Sequence, residues 1–344
     1  MSSQPLVIDA FGRIFEADGR AIQHPDHIDL LIENLKLTEL FALETSDHDY
    51  TYSVEAADHP IMVQKIRADQ GGVWITAQNG KELLAIKDKF SFDYQDRLCG
   101  LTQKSVPFRL SKECMDGFFD LCDEYDDDFF VLGGYKIMTP PYYFEISESR
   151  NPGYWENVYH SDGNPIWNML EPARALTEML PKMKLPKSRI LILGGGEGHD
   201  AALFAQASHL VTVVDFSKIA IENGRQRYKD LTNLTFIQED IFKLDHSWNH
   251  SYDLVVEHTC FCAIPPSERK RLIDIYARVL HDQGQLMGVF FAMLKRAGPP
   301  YGSSELEIKS YLEKKFQILV AHRFRKSLPR REGREYYILA QKRK

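Results

Sequence analysis

Gly194, Gly195, Gly196 and Gly198 follow the apolar run Ile190-Leu191-Ile192-Leu193 and precede Ala201-Ala202-Leu203-Phe204-Ala205, a good helix former. A strand, a tight turn and a helix N-terminus in that order can cradle a nucleotide-like cofactor, because glycine lets backbone approach a ligand where a Cβ would clash. The next apolar run, Leu210-Val211-Thr212-Val213-Val214, ends in Asp215. A carboxylate about 20 residues after the glycines can accept from both hydroxyls of a ribose. A third run, Leu234-Thr235-Phe236-Ile237-Gln238, leads into Glu239-Asp240-Ile241. Asp240 could accept from an adenine amino group while Ile241 packs on the ring. A glycine-rich turn alone can also be a plain βα connection; the acids on the two following strands are what favour a ligand.

The spacing Gly194-x-Gly196-x-Gly198 departs from the G-x-G-x-x-G of pyrophosphate sites, and Glu197 stands inside the loop. An acid there repels phosphate and suits a cationic or zwitterionic ligand. S-adenosyl-L-methionine (SAM) has an α-ammonium, a sulfonium and no phosphate, and is the expected cofactor. Trp155, Tyr159 and Trp167 are candidates to face the sulfonium, where cation–π attraction gives roughly 0.5–2 kcal/mol; they could equally be core of a helix. Glu257 and His258, at the end of the run Tyr252-Asp253-Leu254-Val255-Val256, could take a proton, bind the methionine part of the cofactor or cap a helix. His160 and Tyr301 are further candidates for a base. Cys260-x-Cys262 lacks the additional ligands of a zinc site, and no metal is expected.

These groups need a scaffold that brings successive strand ends to one side. Strand and helix alternate: runs at 190–193, 210–214, 234–238, 252–257 and 285–291 are strands, and Leu272, Ile275, Tyr276 and Val279 keep helical spacing after Pro265-Pro266. Gly284 reads as the turn before the fifth strand. The pattern predicts an α/β fold with a doubly wound, mostly parallel sheet.

Five blocks resemble the thiopurine S-methyltransferase superfamily, including its thiol and halide methyltransferase branch. They are Trp155-Glu156-x-x-Tyr159 with Gly163-x-Pro165-x-Trp167, the glycine loop through Asp200, Val214-Asp215-Phe216-Ser217-x-x-Ala220, Glu257-x-x-x-Phe261-Cys262-Ala263-Ile264-x-Pro266, and Gly298-Pro299-Pro300-Tyr301. The resemblance covers about residues 151–344. It implies a Rossmann-like class I SAM-dependent methyltransferase fold, a segment around Trp155 folding over the cofactor, and Phe216 beside the ribose. It also implies methyl transfer to a small nucleophile, often sulfur, selenium or a halide. A thiol of pKa about 8.5 is partly ionised at neutral pH and needs little help from a base. Aminopropyl transfer, as in polyamine synthases, needs an Asp-x-x-Asp-Pro-like segment after the fourth strand, which Glu257-His258-Thr259-Cys260-Phe261 does not supply. N- or O-methylation, and a non-catalytic SAM-binding scaffold, are the other readings.

Residues 1–145 read as a separate α+β domain, and residues 146–344 as the methyltransferase domain. The first should contain a hairpin near 6–16, a helix over 27–37, strands at 50–54, 61–66, 73–77 and 83–86, and a helix over 111–125. Gly71-Gly72 and Asn79-Gly80 mark turns. It is expected to cover part of the substrate cleft or make a homodimer contact. Asp123-Glu124-Tyr125-Asp126-Asp127-Asp128 reads as a solvated helix end. Arg323, Arg325, Lys326, Arg330, Arg331 and Arg334 surround a late turn and are either solvated or, in one or two cases, aimed at an anionic substrate. The net charge of -7 argues against nucleic-acid binding, and no apolar run is long enough for a membrane span. Five cysteines and a start, Met1-Ser2-Ser3-Gln4-Pro5, without a basic and apolar leader favour the cytoplasm.

Overall fold

The apolar runs around the glycine turn pair into one seven-stranded sheet. Its strands are β1 (Arg189–Leu193), β2 (Leu210–Asp215), β3 (Leu234–Gln238), β4 (Tyr252–His258), β5 (Leu280–Phe291), β6 (Phe316–Phe324) and β7 (Glu335–Lys342). The order is β3-β2-β1-β4-β5-β7-β6, and only β7 runs antiparallel to its neighbours. The computed structural model describes residues 4–39, 41–161, 165, 167–328 and 331–344. Met1-Ser2-Ser3, Gly163 and Arg330 lie outside the described residues. The chain forms two compact units: Met1–Phe144 with Met293–Arg296 and Ser304–Glu307, and Glu145–Ala292 with Ala297–Ser303 and Ile308–Lys344.

In the second unit, β1 carries no polar residue between Ile190 and Leu193 because both sheet faces are covered. Leu191 and Leu193 join a core with Leu272, Ile275, Tyr276 and Val279 of the helix Arg269–Val279. Ile190 and Ile192 join the opposite core, with helices Arg174–Met183 and His199–Gln206. The sheet is thus doubly wound as the periodicity predicts. Gly284 does not end a turn: β5 runs through it, and the pairing with β4 slips between Tyr252 and Leu254. The strand order reverses between β1 and β4, which opens a crevice at the carboxyl ends of β1, β2 and β4.

The first unit is built on three sheets of its own. One pairs Leu6–Ile8 with Ile14–Phe15 and, in parallel, with Thr51–Ala56. A six-stranded sheet centres on Ile61–Asp69, with turns at Gly71-Gly72 and Asn79-Gly80 where the sequence places them. The predicted helix over 27–37 spans Pro25–Glu33 and closes at Asn34, leaving Lys36–Leu37 as a strand. The predicted helix over 111–125 is the largest misreading. Ser111 does cap a helix, but Lys112–Asp116 stops at Gly117, and Phe118 is pinned in the core against Phe130. Glu124–Asp126 pairs with Phe129–Leu132, so the acidic run is an exposed hairpin and not a helix end.

Asp58 is the buried electrostatic centre of this unit. Its carboxylate lies 2.5 Å from Arg109 Nε, 3.1 Å from Arg97 Nη1 and 3.2 Å from His59 Nδ1. Burial pushes its pKa up, but His59 and the two guanidiniums outweigh that and hold it well below the usual carboxylate range. Removing one partner of such a cluster strands the other charges. Asp58→Ala is therefore expected to cost about 3–5 kcal/mol, read as a lowered midpoint in chemical denaturation; an unchanged midpoint would contradict the assignment.

Candidate active site

Gly198, at φ 78°, is the N-cap of the helix His199–Gln206, and Gly196, at φ 53°, turns the loop before it. A Cβ on Gly198 would lie 2.6 Å from the Phe236 ring, so glycine there is demanded by packing. A Cβ on Gly196 would meet only the Tyr159 hydroxyl, at 3.1 Å. Tyr159 thus stands directly over the backbone at Gly196.

Asp215 folds back on this loop. Its Oδ2 accepts from Gly196 N at 2.8 Å and its Oδ1 from Ser217 N at 2.9 Å. The carboxylate is buried, and no cationic side chain pairs with it among the described residues. Burial raises its pKa, and the nearby Glu156 adds to the rise. An ionised carboxylate has about four acceptor sites. Two are filled by amides, and each oxygen keeps one for a hydroxyl such as those of a ribose. Asp240 is one-third exposed, accepts from Phe242 N at 2.9 Å and lies 3.7 Å from Lys243 Nζ. Ile241 beside it is buried, and Phe216 is half-buried after β2.

The helix Pro152–Ser161 brings the aromatics together. The Trp155 and Trp167 rings stand 5.4 Å apart and edge-on, and Tyr159 meets Trp167 at 6.0 Å. Trp155 Nε1 donates to Ser149 O, and Glu156 accepts from Lys218 N at the start of the next βα helix. Burial raises the Tyr159 phenol pKa, with Asp215 as the next cause. The aromatics, Gly196 and Asp215 form one cluster.

Residues 150–338 match the family profile of Thiopurine S-methyltransferase (TPMT), more than half of the chain. The chain belongs to the thiopurine S-methyltransferase family. It is similar to a probable thiol methyltransferase 2 of Arabidopsis thaliana, at 27% identity over 49% of this chain and 76% of that protein. It is also similar to a thiocyanate methyltransferase 1 of Brassica oleracea, at 28% identity over 45% of this chain and 70% of that one. Among solved structures, a Burkholderia thailandensis 1,6-didemethyltoxoflavin-N1-methyltransferase overlays with a TM-score of 0.48 and 19% identity, over 65% of this chain and 99% of that one. The protein is a SAM-dependent methyltransferase with the class I fold.

Read as a methyltransferase of this family, the chain departs from several sequence expectations. Glu197 does not present a free charge to a ligand. Asn223 donates to its Oε1 at 2.9 Å, while Arg227 and His199 lie 3.5 and 3.6 Å from its Oε2. His199 first, with Asn223 and Asn168, holds its pKa down to about 2 against the effect of burial. Tyr301 is fully buried, and its hydroxyl accepts from Ile146 N at 2.8 Å, so it builds a wall. His160 is exposed on its helix. Among the basic run, Arg323 donates to Ala292 O and Gly333 O, and Arg331 is buried. Lys326 lies 3.6 Å from Glu178.

Glu257 and His258, at the end of β4, are both engaged by protein groups. Arg331 Nη1 lies 2.6 Å from His258 Nε2, and a guanidinium can only donate, so Nε2 accepts. Nδ1 then carries the proton and donates to Asp200 Oδ2 at 2.6 Å. His258 has no lone pair left and is not a base in this geometry. Glu257 accepts from Phe261 N at 2.8 Å and from the Tyr276 hydroxyl, which makes it a buried cap of the short helix Cys260–Ala263. Sequence reasoning missed Asp200 and Arg331 as partners, because nothing local links positions so far apart.

Burial pushes the Glu257 pKa up to about 7, against donations from Tyr276 and Phe261. The folded state therefore binds this proton between about pH 4.5 and 7, where the unfolded chain has released it. Stability from this group is present at low pH and is lost as pH rises through that window. Glu257→Gln should remove the loss. Its unfolding free energy relative to wild type should rise by roughly 1–3 kcal/mol from pH 5 to 7. Parallel pH profiles for the two proteins would contradict the assignment.

Proposed function

We propose that this protein moves the methyl group of SAM to a small thiol or related soft acceptor. The observation that carries this reading is that neither group at this strand end is offered to an acceptor: Glu257 is 1% exposed and bonded to Phe261 N and the Tyr276 hydroxyl, and both ring nitrogens of His258 are taken by protein. A hard acceptor, such as an alcohol, needs a base to ionise it. A thiol, with a pKa of about 8.5, supplies its own thiolate. The similarity to a thiol methyltransferase and a thiocyanate methyltransferase supports the same class of acceptor.

In this reading Asp215 holds the ribose hydroxyls, Asp240 and Ile241 hold the adenine, and Phe216 lies beside the ribose. Gly194, Gly196 and Gly198 shape the loop. Trp155, Tyr159 and Trp167 cover the cofactor and offer ring faces to a positive charge. Bound there, SAM supplies an electrophilic methyl on its sulfonium. The chain's own contribution is alignment and exclusion of water, and alignment can supply much of the acceleration. Five cysteines, none of them in a disulfide, support a cytoplasmic setting.

The full chain incubated with methyl-labelled SAM and a panel of thiols, thiocyanate, halides, amines and alcohols should label the soft acceptors. With thiols, the rate should rise with pH along the acceptor's own ionisation, near 8.5. Labelling of amines or alcohols alone would overturn the reading. Asp215→Ala should weaken SAM binding about 10- to 100-fold, the equivalent of a hydrogen bond to a buried charge. Wild-type affinity in a folded Asp215→Ala protein would remove the ribose assignment.

A further inference from the structure

Residues 167–173 lead into the helix Arg174–Met183 and have no regular structure of their own. This segment is strained at Leu170, which sits at φ 59° with its side chain largely exposed. A leucine in the left-handed region costs of order 1 kcal/mol and persists only where the surroundings over-determine it. The surroundings here are two anchors. Arg331 Nη2 donates to Trp167 O at 2.9 Å at one end of the segment. Asp200 Oδ1 accepts from Ala173 N at 2.7 Å at the other.

The two anchors are joined through His258. From Trp167 O the contacts run through Arg331, then His258 at 2.6 Å, then Asp200 at 2.6 Å, and end on Ala173 N. Arg331 is further fixed by Glu335, 3.5 Å from Nη1, and by the Phe291 ring, 5.2 Å from its Cζ. Glu335 is in turn fixed by Ser327, whose hydroxyl donates to it at 2.6 Å. Arg331 and Glu335 are buried, and His258 nearly so. The closed loop of contacts ties the first turn of the glycine-loop helix, the end of β4 and the β6–β7 hairpin to one short segment.

We infer that Asp200, His258 and Arg331 are positioning residues that clamp residues 167–173 at both ends and so hold Trp167 against Tyr159 beside Gly196. The inference rests on the proposed reading that Trp155, Tyr159 and Trp167 cover the cofactor. His258 serves because a neutral imidazole donates at one nitrogen and accepts at the other, which is what an acid on one side and a guanidinium on the other require. A leucine at 258 keeps the bulk and breaks both links. A glutamine keeps one donor and one acceptor. The clamp acts on cofactor affinity and touches no reacting atom.

The test uses the full chain with SAM and a thiol acceptor that the labelling panel identifies. Arg331→Met and His258→Leu should each raise the KM and Kd for SAM about tenfold or more, with kcat at saturation close to wild type. His258→Gln should recover most of the affinity. In a double-mutant cycle, Arg331→Met added to Trp167→Ala should cost little more than Trp167→Ala alone, since the clamp acts through that residue. Unchanged SAM affinity in folded Arg331→Met or His258→Leu would overturn the clamp. So would a His258→Gln protein as impaired as His258→Leu, or full additivity in the cycle. Wild-type SAM affinity in Trp167→Ala would instead defeat the cofactor reading itself, whatever the other variants do.

Discussion

A carboxylate buried with no cationic partner among the described residues is the constraint on which the second unit turns. Burying a charge is costly unless hydrogen bonds compensate it. Asp215 is compensated by the amides of Gly196 and Ser217, which follow the ends of the neighbouring strands β1 and β2. That arrangement requires the glycine loop to bend back over the end of β2, which in turn requires glycine at Gly196 and Gly198. It also leaves the acid with unused acceptor capacity at the mouth of the crevice. The same interaction that closes the loop therefore prepares the site for a ligand rich in hydroxyl donors.

Around that acid the site divides its tasks. The aromatic helix is fastened through main-chain groups to the turn before it and to the helix Lys218–Arg227, with Trp155 donating to Ser149 O and Glu156 accepting from Lys218 N. Glu257 and His258, at the end of β4, are turned to protein partners and make structure: Glu257 caps a short helix, and His258 bridges an acid and an arginine. On the proposed reading, a site built this way binds and orients, and leaves ionisation to the acceptor. That division fits a family whose chemistry is displacement at an activated methyl group.

The parallel sheet was legible in the sequence because its strands are buried on both faces and read as unbroken apolar runs, as Ile190 to Leu193 do. The glycine loop and Asp215 were legible because their spacing is local. The clamp was not, since Asp200, His258 and Arg331 meet only through the tertiary fold, and Arg331 stood in a basic run that read as solvated or, in one or two cases, aimed at an anionic substrate. Glu197 misled for the same reason: its partners Asn223 and Arg227 come from the helix Lys218–Arg227. In the first unit, the acidic run looked like a helix end because its pairing strand, Phe129–Leu132, declares no period-two pattern. Local propensity there gave way to cross-strand pairing.

Isothermal calorimetry of the full chain with SAM tests the central claim most directly, because it asks whether the pocket formed by the glycine loop, Asp215 and the aromatics is a cofactor site before any acceptor is known. Saturable binding at one SAM per chain, weakened by substitution of Asp215, is the predicted result. No detectable heat or displacement from a correctly folded protein would contradict it.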